Sequence, residues 1–211
     1  MMAASEPGSA ANFLPRQRDL AHLRQAASGC QGCSLYRNAT QTVFGEGPAG
    51  AKVLLVGEQP GDQEDMTGQP FVGPAGRLLE RALADAGFER DEVYLTNAVK
   101  HFKWEWRGRR RLHRRPSASE VRACRPWLEA EVAAVRPSLL VCLGVTATTA
   151  VLGRAVRLKD LRASFAASPF AIDAFITIHP SALLRLPSEQ DRVDEYWRLV
   201  SDLELARARV A

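Results

Sequence analysis

The stretch that decides the fold is KVLLVGEQPG (residues 52–61), in which four apolar residues run directly into a polar loop with two glycines and a proline. A short apolar run that ends in a turn signal is typical of a strand buried on both faces. Three other stretches, residues 93–96, 138–143 and 174–178, have the same pattern. The sequence therefore predicts four buried strands.

Helical patterns separate these strands. Apolar spacing and end signals predict helices at residues 16–27, 75–86, 120–135, 146–152 and 188–207. Ser117 and Glu120 could form a capping box, and Pro126 predicts a kink or a break. Because strands and helices alternate, we predict a three-layer α/β/α fold of the α/β class around a central four-stranded, mainly parallel sheet. We expect it to form one domain over residues 13–211, after a disordered tail at residues 1–12.

Polar residues follow each predicted strand. The first strand leads into Glu58 and Gln59, the second into Asn97, the third into Gly144 and the fourth into His179. Ligands of open parallel sheets bind beyond the carboxyl ends of the strands. We therefore expect these residues to share one site.

Positive charge is concentrated in KHFKWEWRGRRRLHRR (residues 100–115). The chain has 28 Lys and Arg against 24 Asp and Glu, a net charge of +4, whereas this stretch alone has eight basic residues and one acid, hence +7. A local basic patch gains affinity for polyanions by releasing counterions, and Phe102, Trp104 and Trp106 could stack on unpaired bases or simply pack. Nucleic-acid contact is favoured over a solvated loop.

Four cysteines are candidates for binding a metal or a cluster. Cys30 and Cys33 form a C-x2-C pair, and Cys124 and Cys142 lie further along. No signal peptide or apolar span is visible, so we expect a cytoplasmic protein with reduced thiols. Four thiolates can hold a 4Fe-4S cluster or zinc, and ligands spread over a helix and a strand favour the cluster. The alternative for Cys142 is a buried core residue.

Several strings now point to a family. GEQPG, QPFVGPAG, TNAVK, CRPWL and HPS, after the C-x2-C pair, resemble in order and spacing the iron-sulfur, family 4 branch of the uracil-DNA glycosylase superfamily over residues 29–205. Within that branch, two features resemble the UdgX type, whose members become cross-linked to uracil-containing DNA. Gln59 stands where family 4 enzymes usually have alanine, and residues 109–113 (RRRLH) are similar to the hallmark loop Lys-Arg-Arg-Ile-His, with conservative departures at Arg109 and Leu112.

The resemblance implies how uracil is recognised and released. Asn97 would pair with uracil O4 and N3–H, and Phe71 would stack on the flipped base. His179 would hydrogen-bond O2 and stabilise negative charge on the departing base. Glu58 would stabilise the cationic sugar or polarise a nucleophile, while Gln59 would orient a water, the base or Glu58. The implied uracil-binding residues are Gly57, Gln59, Phe71, Asn97 and His179.

The resemblance also implies covalent trapping through His113. Its imidazole would attack C1′ of the sugar and leave a bond that resists hydrolysis, so that the enzyme acts once. The implied catalytic residues are His113, Glu58, Gln59 and His179. The implied DNA contacts are Lys100, Arg109, Arg110, Arg111, Ser181 and Arg185. The implied cluster ligands are Cys30, Cys33, Cys124 and Cys142.

Other functions fit the same sequence. A conventional family 4 glycosylase would use water as the nucleophile and turn over, and a non-catalytic iron-sulfur module would only bind nucleic acid. A zinc protein is a further alternative, which would lack the brown colour of an iron-sulfur cluster. The resemblance implies a monomeric bacterial protein that acts at the nucleoid, with uracil-containing DNA, preferably single-stranded, as its partner.

Overall fold

The computed structural model describes residues 8–210. The strands are β1 (Val53–Gly57), β2 (Val93–Asn97), β3 (Trp104–Arg107), β4 (Arg110–His113), β5 (Leu139–Leu143), β6 (Ser164–Ala167) and β7 (Asp173–Thr177). The helices are α1 (Leu20–Ala27), α2 (Asp62–Thr67), α3 (Pro74–Asp85), α4 (Ala118–Val135), α5 (Gly144–Leu152) and α6 (Glu189–Ala208). Within these residues, no helix has the length and apolar character needed to cross a membrane.

The central sheet has the strand order β2-β1-β5-β7-β6. β1 pairs in parallel with β2 and β5, and β5 pairs in parallel with β7, which confirms a mainly parallel sheet built on the four predicted strands. A fifth strand, β6, pairs antiparallel with β7 at the edge. Its sequence, SFAA, is only half-buried and lacks the continuous apolar run that marks a strand covered on both faces.

Helices cover both faces of the sheet. Alternate residues of β1 point to opposite sides, so that Leu54 and Val56 join a core with α1, α4 and α5, while Val53 and Leu55 join a core with α3 and α6. All four side chains are fully buried, and burying each contributes about 1.5–3 kcal/mol. The predicted three-layer α/β/α architecture is confirmed.

Helix α4 begins with the predicted capping box. Ser117 Oγ accepts a hydrogen bond from Glu120 N at 3.2 Å, and Ser117 N donates to Glu120 Oε2 at 2.6 Å. The helix continues through Pro126 to Val135, although proline removes one backbone hydrogen bond. Burial of Trp127 and its neighbours against the sheet compensates for that loss.

The N-terminal segment is more ordered than predicted. Residues 1–7 of the predicted tail lie outside the described part of the chain, but Ala10–Phe13 form a 3-10 turn and Ala10 is buried. The turn packs on the C-x2-C loop so closely that a Cβ on Gly32 would lie 2.6 Å from Ala10 N. This long-range contact leaves no local signal in a segment of small polar residues.

Lys100 lies inside the core and not on the surface. Its Nζ lies 2.5 Å from Glu131 Oε2, and both side chains are fully buried. Nζ also donates to Thr96 Oγ1 at 2.5 Å and to the carbonyl oxygen of Asn97 at 2.8 Å. The prediction that Lys100 contacts DNA is wrong for this structure, because its ammonium group has protein partners and no access to a phosphate.

Breaking this buried pair should destabilise the protein strongly. Lys100→Met leaves the Glu131 carboxylate buried without its cation, and we expect the free energy of unfolding in urea to fall by about 3–5 kcal/mol. Lys52→Met removes the exposed pair with Glu92, which is 3.4 Å long, and should cost less than about 1 kcal/mol. Equal losses of unfolding free energy in the two variants would show that the buried pair contributes no more to stability than the exposed pair.

Candidate active site

The carboxyl ends of four parallel strands open into one cavity of about 710 Å³. It is lined by residues that follow β1, β2, β5 and β7, together with residues from the loop before α3 and from β4. The predicted residues that line it are Glu58, Gln59, Phe71, Asn97, His113, His179, Ser181 and Arg185. The parallel topology thus gathers side chains that are far apart in the sequence.

Gly57 leaves the space in which an aromatic ring and an amide meet. A Cβ at this position would lie 2.3 Å from Asn97 Oδ1 and 2.8 Å from Phe71 Cζ. Phe71 has a φ of +59°, and a Cβ on Gly76 would lie 1.8 Å from the Phe71 carbonyl oxygen, so glycine is required at both contacts. This corner offers a flat apolar face beside a hydrogen-bonding amide.

Glu64 fixes the loop that carries Phe71. Its carboxylate accepts a hydrogen bond from Gly61 N at 3.0 Å and another from Gly73 N at 2.8 Å. The side chain is buried and bridges the loop after β1 to the loop before α3. This role is not among those predicted from the sequence. The available signal is that Gly61 and Glu64 stand three residues apart at the start of α2, which is the spacing of a capping box.

Glu58 connects two elements across the cavity. Its Oε1 lies 3.2 Å from His113 Nε2, and its Oε2 accepts a hydrogen bond from Thr146 Oγ1 at 2.5 Å. Burial alone would raise the pKa of Glu58, but the hydrogen bonds from His113 and Thr146 hold it below its usual value. Glu58 is therefore a carboxylate at neutral pH.

His179 is neutral at physiological pH. Burial lowers its pKa to about 4, although the charge of Glu58 opposes that shift. Ser181 N donates to His179 Nδ1 at 3.2 Å, so the neutral ring carries its proton on Nε2. Ser181, for which a DNA contact is predicted, sets this tautomer through its backbone.

A β-hairpin brings His113 to the site. β3 and β4 pair antiparallel, with Trp104 opposite His113, and Gly108 stands at the first of two loop positions with a φ of +61°. Glycine at that position is what a type II′ turn requires. The sequence contains this signal in Arg-Gly-Arg between alternating residues, although no strand is predicted there.

Gln59 holds the base of the hairpin. Its Nε2 donates to the carbonyl oxygens of Lys103 at 3.1 Å and Arg114 at 3.2 Å, and its Oε1 accepts from Lys103 N at 3.1 Å. All of these partners are backbone atoms of the two hairpin ends. The predicted role of Gln59 in orienting water, base or Glu58 is corrected: it positions the strand that carries His113.

Arg111 ties the middle of the hairpin to α2. Its guanidinium lies 2.6 Å from carboxylate oxygens of both Asp62 and Asp65, and its side chain is only 13% exposed. It also lies over the rings of Phe102 and Trp104. The predicted phosphate contact through Arg111 does not fit this geometry, because two carboxylates already neutralise the group.

Comparison with known proteins identifies the family. The sequence model of the uracil DNA glycosylase superfamily matches residues 44–204. The chain is 35% identical to a type-4 uracil-DNA glycosylase of Pyrobaculum aerophilum, with 81% of this chain and 87% of the relative aligned. It is 36% identical to that of Thermotoga maritima, with 85% and 88% aligned. The chain belongs to the uracil DNA glycosylase superfamily.

In this superfamily member the four cysteines do not form one ligand cluster. Trp127 Nε1 donates to Cys30 Sγ at 3.2 Å, and burial, with the nearby Cys33 and Cys30 thiols, raises the pKa of Cys124. Cys142 lies apart on β5, in register with strand neighbours on either side, and burial alone raises its pKa. Within residues 8–210, no three His, Cys, Asp or Glu residues are placed to hold a single metal ion.

Removing the hydroxyl of Thr146 should raise the pKa of Glu58 in this glycosylase-family site. Thr146→Val deletes a donor that stabilises the carboxylate, so the titration midpoint of the Glu58 carboxyl carbon, followed by NMR, should move to higher pH. Thr148→Val is a matched control, since Thr148 donates to the carbonyl oxygen of Gly144. An unchanged midpoint in Thr146→Val, or an equal shift in the control, would contradict the assignment.

Proposed function

We propose that the protein excises uracil from DNA and is then trapped on its product through a bond between His113 and C1′ of the deoxyribose. The observation that carries this proposal is the 3.2 Å separation between His113 Nε2 and Glu58 Oε1 inside the cavity. A potential nucleophile and a carboxylate base thus meet at the strand ends. The relatives named type-4 uracil-DNA glycosylases support the first part of the proposal.

The corner at Gly57 suits a flipped uracil. The ring of Phe71 offers a stacking face, and the Asn97 amide offers both a donor and an acceptor for O4 and N3–H. Cytosine presents an amino group and an unprotonated N3 at the same edge, so a fixed amide can discriminate between the two bases. Glu64 keeps the stacking loop in place.

His179 supports departure of the base. With Nδ1 accepting from Ser181 N, its Nε2–H can donate to uracil O2 as negative charge develops there. Its pKa near 4 keeps the ring neutral, so it stabilises the leaving anion by a hydrogen bond without giving up a proton. The N1–C1′ bond breaks and its electron pair stays on uracil N1.

The proposed trapping step uses His113 and Glu58. The Nε2 proton of His113 first passes to Glu58 and then to solvent, which leaves an in-plane lone pair on Nε2. That lone pair forms the bond to C1′, and the remaining proton on Nδ1 is then lost to solvent. The product is a neutral N-alkyl imidazole, which is a poor leaving group, so hydrolysis is blocked. The low pKa of Glu58 keeps it ionised and able to accept the Nε2 proton.

A water nucleophile is the competing mechanism. Glu58 directs one oxygen to His113 and the other to Thr146, so both oxygens of this carboxylate already have protein partners. The hydrogen bonds of Gln59 and the ion pairs of Arg111 restrain the hairpin in this position. This restraint favours attack by His113 over attack by water.

A denaturing gel tests the trapping step. Purified protein incubated with a uracil-containing oligonucleotide should give a heat- and SDS-resistant complex, and His113→Ala should give none. His22→Ala is the matched control, because His22 is exposed on α1 and contacts Asp19. Uracil release should stop near one molecule per protein in the wild type. Many turnovers without an adduct would establish water as the nucleophile. If no uracil is released, the protein is a module that binds nucleic acid without catalysis.

We also propose that the protein holds an iron-sulfur cluster through Cys30, Cys33, Cys124 and His101. Lys100 N donates to Cys124 Sγ at 3.3 Å, so the residue that precedes His101 contacts this thiol. His101 Nε2 lies 2.9 Å from Thr42 Oγ1. Thr42 Oγ1 donates to the carbonyl oxygen of Ala27, and the same oxygen accepts a hydrogen bond from Cys30 N, so one set of hydrogen bonds links His101 to the Cys30 loop. Histidine replaces cysteine in some natural clusters. The bound cluster would tie these segments together.

Iron content tests this ligand set. His101→Ala and Cys30→Ala should both lower iron and sulfide per protein and reduce visible absorbance, whereas Cys142→Ala should leave them unchanged. The reason is that Cys142 lies on β5, away from the other thiols. Loss of iron in Cys142→Ala with full retention in His101→Ala would show that the four cysteines are the ligands. Zinc in the purified protein in place of iron would contradict the proposal of an iron-sulfur cluster.

A further inference from the structure

We propose that the hairpin tip, formed by Trp106, Arg107, Arg109 and Arg110, is a stacking platform for a nucleotide beside the target uracil in single-stranded DNA. The proposal rests on the proposed function for the position of the target uracil. Two independent features of the tip support the proposal: an exposed aromatic ring and positive charge without acidic partners.

Trp106 is an exposed ring on a fixed support. It is 65% exposed, the largest fraction among the exposed large hydrophobic side chains in residues 8–210. Its ring packs edge-to-face on Trp104, with centroids 4.8 Å apart, and Trp104 Nε1 donates to the carbonyl oxygen of Asn38 at 2.9 Å. The indole thus presents a face to solvent from a position held by the hairpin and by Trp104.

The tip of the hairpin also carries arginines without acidic partners. Five basic residues of the segment form ion pairs: Lys100, Lys103, Arg111, Arg114 and Arg115. Arg107, Arg109 and Arg110 form none with any residue in the described part of the chain, and all three are exposed. Arg107 and Arg110 pair with each other on the face of the hairpin opposite Trp106, and Arg109 lies in the turn. A strand that crosses the tip can place phosphates at these guanidinium groups and a base on the ring, which favours nucleic acid as the partner.

The strand register places Trp106 at a defined distance from His113. Trp104 pairs with His113, so Trp106 is the diagonal neighbour of His113 on the same face of the hairpin. Diagonal neighbours lie about 7–8 Å apart. Bases stacked in a duplex are separated by only about 3.4 Å, so a nucleotide adjacent to the target reaches Trp106 only when it is unstacked. Bases unstack more easily in a single strand than in a duplex, so this arrangement favours single-stranded DNA.

Binding to uracil-free oligonucleotides tests the platform without relying on excision or trapping. Trp106→Ala should weaken the Kd for a single strand about ten-fold, as expected when one base loses an aromatic partner, and should change the Kd for the matching duplex far less. Trp106→Phe should retain most of the affinity. Trp197→Ala is the matched control, since Trp197 is 56% exposed on α6.

A second experiment tests the position beside the uracil. In single-stranded uracil oligonucleotides, the base 5′ or 3′ of the target is replaced by an abasic spacer, and the DNA concentration for half-maximal uracil release is measured in a single turnover. If Trp106 stacks on the base at one side of the uracil, a spacer on that side should raise this concentration for the wild type. Trp106→Ala has already lost the contact, so the same spacer should not raise its concentration further. Additive effects on both sides, unchanged single-strand affinity in Trp106→Ala, or equal losses for single strand and duplex would overturn the platform.

Discussion

The geometry of the site depends on the buried ion pair between Lys100 and Glu131. Two charges can remain in a dry core only when each is paired and hydrogen-bonded, and here the Glu131 carboxylate also accepts from Tyr94 OH and Thr96 Oγ1. The pair locks the end of β2 against α4. Lys100 Nζ also donates to the carbonyl oxygen of Asn97, and Lys100 N donates to Cys124 Sγ. The contacts of this one residue therefore position both the cavity and the cysteine-lined side of the core.

The hairpin shows how one charged segment can serve different purposes. Of the eight basic residues in residues 100–115, five are paired with carboxylates. Four of these pairs fix the segment against the body of the protein, whereas the pair of Arg114 with Glu105 lies within the segment. Gln59 adds three hydrogen bonds to the two ends of the hairpin. Because the hairpin is held at its base and its middle, His113 is brought to Glu58, while the tip remains exposed to solvent.

The predictable part of the site followed from its position next to buried strands. Glu58, Asn97 and His179 come directly after apolar runs, and parallel strands align their carboxyl ends at one edge. The roles of Gln59 and Glu64 were not predictable in this way. Both act by hydrogen-bonding backbone atoms of other loops, and sequence spacing carries no information about which loops meet. The same reason explains why the sequence leaves Cys142 open between a ligand and a core residue, whereas the folded chain places it on β5 within the sheet.

The sequence by itself determined the α/β architecture, the edge of the sheet that carries the cavity and the family, because apolar runs and short motifs act locally and keep their order along the chain. Only the tertiary structure decided which charges face inward. Lys100 and Arg111 stand in the same basic segment as Arg109, yet burial beside carboxylates makes the first two structural. Charge is read from the sequence, whereas access to solvent depends on what the folded chain places around it.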